Sequence, residues 1–249
     1  MRAKLPLFLA ALATAAANAA SIDPERAADR VIDEANAFRR EHRLPTLETN
    51  ANLGRTARDF AEYMAKTDRF GHEADGAQPA DRAKRHGYDY CMVAENIGYQ
   101  YRSHGFASIA ELAGGFVTGW KNSPEHRRNL LDREAIDTGV GLARSPATGR
   151  YYAVQLFGRP ASKSVKFSVT NDSDARLEYR VGAQRYSLPR RSVRTHETCM
   201  SETVSFEGET VTPRTGDHIF LKNGMKVRLT ARVSGRLRSF NVPRPVSSR

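Results

Sequence analysis

The sequence predicts an α+β domain over the first 159 residues, followed by a smaller all-β domain. Three observations carry that division. Up to Arg159, apolar residues recur at helical spacing between shorter runs that alternate like strands. After Arg159-Pro160 the period is two, with turn residues between the runs. Charge divides at the same place: Ala20 to Arg159 carry 20 basic and 20 acidic side chains, whereas Pro160 to Arg249 carry 17 and 8, a net charge of +9. The chain has 249 residues, 40% of them hydrophobic and 27% charged, which is enough for two cores and ordinary for a soluble protein.

The first element is a targeting segment. Arg2 and Lys4 precede an apolar run from Leu5 to Ala16, and Ala17-Asn18-Ala19 is a small-x-small cleavage site. Residues 1–19 therefore read as a signal peptide, and the mature chain as exported, periplasmic or extracellular. No later run is apolar enough for a transmembrane segment. A first helix follows the stripe Ala28, Val31, Ala35 and Phe38 and is limited by Pro45. Asn50 caps a second, whose face is Leu53, Ala57, Phe60, Ala61 and Met64. A loop carries Phe70-Gly71-His72. Pro79 starts a short helix over 80–86, and Gly87 stops it. Residues 92–99 read as a strand holding Glu95, and residues 109–120 as a helix despite Gly114 and Gly115.

Next comes the most informative stretch, from Gly119 to Leu131. Trp120 is the only tryptophan. Ser123-Pro124 is a helix start, with Ser123 as N-cap and Pro124 at the first helical position. Glu125 suits the positive end of the helix dipole, and His126, Asn129 and Leu130 share one face. Gly139-Val140-Gly141 is a turn-and-strand signal. Strands over 137–143 and 151–157 are joined by a turn at Pro146–Gly149. Beyond Pro160, alternation marks strands at Val165–Val169, Leu177–Val181, Thr203–Phe206 and Lys226–Thr230. This all-β domain spans 160–240, and 241–249 reads as a disordered tail.

Four of these pieces, in this order, resemble the bacterial branch of the CAP superfamily, also called the SCP domain (cysteine-rich secretory and pathogenesis-related type). They are Phe70-Gly71-His72 with Asp75-Gly76, Pro79-Ala80-Asp81-Arg82 with His86-Gly87-Tyr88, Ala94-Glu95-Asn96-Ile97, and Trp120 with Ser123-Pro124-Glu125-His126-Arg127-Arg128-Asn129-Leu130-Leu131 before Gly139-Val140-Gly141. The resemblance runs from about Val31 to Gly158 and does not cover the β-domain. It implies a three-layer α-β-α sandwich for residues 20–159. It also implies that two histidines and two acidic residues meet at the base of a cleft, where some members hold a divalent metal, often zinc. His72 and His126 match the histidines, and Glu95 matches one acid. The position of the second acid is Ser123 here, as in bacterial relatives. Glu125 stands in a different register and is kept as a binding candidate with Asn129 and Trp120.

Catalytic zinc ordinarily has three protein ligands and a water, so His72 and His126 alone predict a weak, open site for zinc or another divalent metal. Glu95 then orients the water or acts as a general base; alternatively, it bonds His72 and knits the cleft together. Glu73 reads as a solvated charge. His42, His86, His104, His196 and His218 have no metal-like partners in sequence. Tyr99 and Tyr101 read as core and rim aromatics, and Arg190, Arg191 and Arg194 as either a phosphate grip or a solvated face. Cys91 and Cys199 form a disulfide between the domains or stay as two thiols.

Three functions follow. One is an extracellular binding module with a peptide, lipid or glycan in the cleft. Another is a metal-assisted, peptidase-like hydrolase using His72, Glu95 and His126. The third is attachment to an anionic envelope or host surface through the basic domain. No nucleic-acid motif is present.

Overall fold

The computed structural model describes residues 22–222 and the backbone of two further strands, Arg228–Val233 and Arg236–Asn241. The expected signal peptide (1–19) and the tail after Asn241 lie outside the described residues. The N-terminal part is built on a four-stranded sheet of β1 (Glu48–Thr49), β2 (Tyr90–Gln100), β3 (Asp137–Arg144) and β4 (Tyr151–Pro160), in the order β1-β3-β4-β2. Only β1 is parallel to its neighbour. Five helices accompany the sheet: α1 (Pro24–Glu41), α2 (Ala51–Thr67), α3 (Pro79–Arg85), α4 (Ile109–Asn122) and α5 (Pro124–Leu130).

The layering follows from the side-chain parity of β4, which runs between β3 and β2 and is buried on both faces because helices cover each one. Tyr151, Ala153 and Phe157 pack with Val31, Ala35 and Phe38 of α1 and with Leu112, Phe116 and Trp120 of α4. Tyr152, Val154 and Leu156 pack on the opposite face with Leu53, Ala57, Phe60 and Met64 of α2. The result is the expected α-β-α sandwich. Gly139 and Gly141 lie inside β3 rather than in a turn. A Cβ on either would run into the backbone of α2, at Leu53 and Gly54 or at Ala57 and Arg58. The glycines therefore let helix and strand approach closely.

The C-terminal part is all β. Its strands are β5 (Val165–Asn171), β6 (Leu177–Val181), β7 (Gln184–Leu188), β8 (Val193–Thr198), β9 (Val204–Phe206), β10 (Glu209–Val211), β11 (His218–Leu221), β12 (Arg228–Val233) and β13 (Arg236–Asn241). They form two sheets, β10-β9-β6-β7 and β13-β12-β11-β5-β8. Phe167, Val169, Ile219 and Leu221 from one pack against Leu177, Tyr179, Val181 and Val204 from the other. Strand β8 carries little aliphatic alternation, because its buried inner residue is His196, whose Nε2 lies 2.7 Å from the Tyr179 hydroxyl.

Only a short 3-10 turn, Ala161–Lys163, separates β4 from β5. Cys91 and Cys199 are bonded across this junction. Cys91 lies within β2, where the register against β4 shifts between Tyr90 and Met92, a bulge that re-aims the cysteine. Arg159 reinforces the junction by donating to the carbonyls of Cys199 (2.8 Å) and Lys163 (3.0 Å) while pairing with Glu134 (3.2 Å).

Candidate functional site

His72, Glu95 and His126 come from three elements. His72 follows Gly71 in the loop after α2, Glu95 lies mid-way along β2, and His126 is in the first turns of α5. The His72 Nδ1 is 2.8 Å from Glu95 Oε1. Glu95 Oε2 accepts from Arg82 Nη2 at 2.9 Å. The Glu95 side chain is 1% exposed and that of Arg82 4%, whereas that of His72 is 48% exposed. An ion pair therefore forms the floor, and an imidazole rises from it to the surface.

Arg82 is the hub, and it was not legible as a site residue. Its Nη1 donates to Asp75 Oδ1 (2.8 Å) and Ala77 O (2.7 Å), and its Nη2 also donates to His72 O (2.9 Å). The guanidinium carbon lies 3.5 Å from the centre of the Phe60 ring. One side chain thus fixes both ends of the histidine loop and neutralises Glu95. The partner, 13 residues away along the chain, gives no local signal.

Helix α5 is fastened from three directions. Asn96 Nδ2 donates to His126 O at 3.1 Å. Asn129 Nδ2 donates to Glu95 O (3.2 Å) and Asn96 Oδ1 (2.9 Å). Arg39, fully buried, donates to Leu130 O and Asp132 O at 2.9 Å, placing a cation at the negative end of the helix dipole. Arg39 does carry a sequence signal, since it is a charge on the apolar stripe of α1. Ser123 occupies the N-cap position, but its side chain makes no capping hydrogen bond, contrary to expectation.

The pKa values of the two histidines shift in opposite directions. The hydrogen bond to Glu95 raises the His72 pKa above its ordinary value, and desolvation only partly offsets this. Burial lowers the His126 pKa, and the charge on His72 lowers it further. Glu125 is exposed, yet its charge acts on both imidazoles, so it flanks the pair despite its different register.

Other candidates fall elsewhere. Trp120 is buried, and its Nε1 donates to Ile97 O at 3.0 Å, so it anchors α4 to β2 instead of lining a cleft. Asn129 spends its amide on β2 and acts as a positioning residue. Tyr99 and Tyr101 are exposed, and Phe70 meets Tyr99 edge to face at 5.1 Å, forming an aromatic rim beside the histidine loop. Arg191 is held by Asp172 and Asp174, both at 2.9 Å, so no three-arginine phosphate grip forms. Among the described residues, no three His, Cys, Asp or Glu side chains are grouped so as to hold a metal.

The cysteine-rich secretory protein family, CAP, matches residues 32–157. The uncharacterized protein YkwD of Bacillus subtilis (strain 168) is 28% identical over 131 residues, 52% of this chain and 46% of that protein. The uncharacterized membrane protein YlbC of the same organism is also 28% identical over 131 residues, 52% of this chain and 34% of that one. The match thus spans less than half of either relative. Among solved structures, an extracellular protein containing a SCP domain from Bacillus anthracis str. Ames is similar at 24% identity and a TM-score of 0.47, over 55% of this chain and 41% of that one. The matched span takes in His72, Glu95, Asn96, His126 and all but the ends of the sandwich that carries them, and the chain belongs to the cysteine-rich secretory protein (CAP) family.

Proposed function

We propose that the chain is an exported CAP-domain binding module, dividing at about Arg159, whose ligand meets His72 and His126 beside the aromatic rim. The observation that supports this most strongly is the disposition of Glu95. Both its oxygens are taken, by His72 and Arg82, and its side chain is 1% exposed. It is therefore a positioning residue, fixing Nδ1 of His72 and turning Nε2 away from the floor. The exported location rests on the N-terminal targeting pattern; no helix among the described residues is long and apolar enough to cross a membrane.

We further propose a weakly held divalent ion at this pair, since two imidazoles alone make an open, weak site. His72 and His126 would hold it, and Glu95 supports His72 as a carboxylate behind a ligating histidine commonly does. The remaining positions would fall to water or to the bound ligand. A bound ion of this kind would supply a Lewis-acidic point for a donor atom of that ligand. Proton and metal compete for His72, so affinity should rise as pH climbs through its raised pKa.

A hydrolase requires Glu95 to reach a water, which its two partners oppose. The test is incubation of untagged protein with casein and with peptidoglycan, with and without zinc. The binding-module reading expects no zinc-dependent cleavage. Cleavage that disappears in Glu95→Gln would replace it with the hydrolase.

A further inference from the structure

The two outer edges of the N-terminal sheet are finished differently. Along β2, the outward carbonyls of Glu95 and Ile97 accept side-chain hydrogen bonds from Asn129 (3.2 Å) and Trp120 (3.0 Å), so α5 and α4 are fastened against that edge. On the opposite edge, β1 covers β3 for two residues only. Glu48 N–H donates to Ile136 O and Asn50 N–H to Thr138 O, both at 2.8 Å, and the chain then leaves to start α2. Backbone groups of alternate strand residues point to the same edge. The next outward residues on β3 are therefore Val140 and Leu142, beyond the end of β1. No pairing on that side of them occurs among the described residues.

These two residues form the floor of a groove of about 820 Å³ between α1 and α2. Ala28 and Ile32 line it from α1, and Gly54, Arg55 and Arg58 from α2. An exposed ion pair, Glu25–Arg58 at 3.4 Å, connects the two helices. We propose that this groove binds an extended peptide, which adds to β3 as a strand in the lane that β1 leaves. The edge N–H and C=O groups require polar partners along a line, which a peptide backbone supplies and an acyl chain does not. The walls set the side chains: small or aliphatic residues toward Ala28 and Ile32, alternating with polar ones toward the α2 wall, where Arg55 and Arg58 stand beside Glu62. The site lies across the sheet from His72 and stands independently of the function proposed for it.

Amide hydrogen exchange followed by NMR on the mature chain tests the edge first. Val140 and Leu142 should exchange at least tenfold faster than Gly139 and Gly141, which pair with β4. Equal protection would overturn the proposal. The probes are then linear dodecapeptides selected from a display library on the full mature chain and resynthesised. Nothing stands within 4 Å of where a Cβ on Gly54 would be, so Gly54→Leu fills the groove and favours the helix. Peptide affinity should fall at least tenfold in Gly54→Leu, and at least tenfold when alternate peptide nitrogens are methylated. Bound peptide should slow exchange at Val140 and Leu142, and His72→Ala should change nothing. No enriched peptide, or undiminished binding to Gly54→Leu, would overturn it.

Discussion

Arg82 determines what Glu95 can do. A carboxylate buried to this extent is tolerable because a guanidinium neutralises one oxygen and an imidazole takes the other. Removing the cation leaves an uncompensated buried charge, which typically costs about 3–5 kcal/mol. Arg82→Leu should therefore lower the urea midpoint far more than a surface substitution, and Arg82→Leu with Glu95→Leu should recover part of the loss. The charge of Arg82 also lowers the His72 pKa, so NMR titration of Arg82→Leu should show His72 holding its proton to higher pH. The histidines have opposite linkage. Stability from His72, whose pKa is raised, is fully present below the ordinary value of about 6.5 and is lost as pH rises through the folded value. His126 and the sandwich-core His196 have lowered values, so their contribution falls as pH drops below the ordinary value.

Helices and strands were legible where periodicity is strong. The stripes of α1 and α2 and the alternation of β5 and β6 carry the layers directly in sequence. Pairings at long separation were not. Nothing local in Pro79–Arg85 says that Arg82 meets Glu95, and nothing in β8 marks His196 as a core residue. The motif positions of His72, Glu95 and His126 were legible, whereas the fastening of α5 by Asn96, Asn129 and Arg39 was not. Those bonds yield an element-level prediction. Asn129→Ala frees the amide contacts of α5 to β2. It should weaken zinc binding several-fold while costing roughly 1–2 kcal/mol of stability, the scale of lost part-buried hydrogen bonds. Unchanged zinc affinity, read by calorimetry, would mean that Asn96, Arg39 and packing place α5 without Asn129.

The Cys91–Cys199 bond joins an edge strand of the first sheet to the β-sandwich, with 108 residues between the two cysteines. On the chain-entropy model, closing a loop of that length contributes up to about 4–5 kcal/mol. Cys91→Ser with Cys199→Ser should lower the thermal midpoint, and reductant should then have no further effect. A midpoint equal to that of the oxidised wild type would show the bond to be idle. Residues 160–249, which include the sandwich, also carry the basic excess of +9. Internal pairs such as Arg191 with Asp172 and Asp174, and Lys166 with Glu197, leave a positive remainder. We expect it to draw the protein to anionic vesicles, with retention falling steeply between low and high salt. Retention that does not change with salt would remove the surface-attachment reading.

The central claim is that His72 and His126 form one ligand-facing pair supported by a Glu95 that does no chemistry itself. Calorimetric titration of untagged protein with zinc addresses it most directly, run near pH 8 and near pH 6 beside His72→Ala, His126→Ala and Glu95→Gln. The wild type should bind weakly, and more weakly at the lower pH because His72 is then protonated. Neither alanine variant should bind, both still folded, and Glu95→Gln should bind with reduced but measurable affinity. Identical titrations for the wild type and both alanine variants would contradict the claim and leave the cluster as a hydrogen-bond network alone.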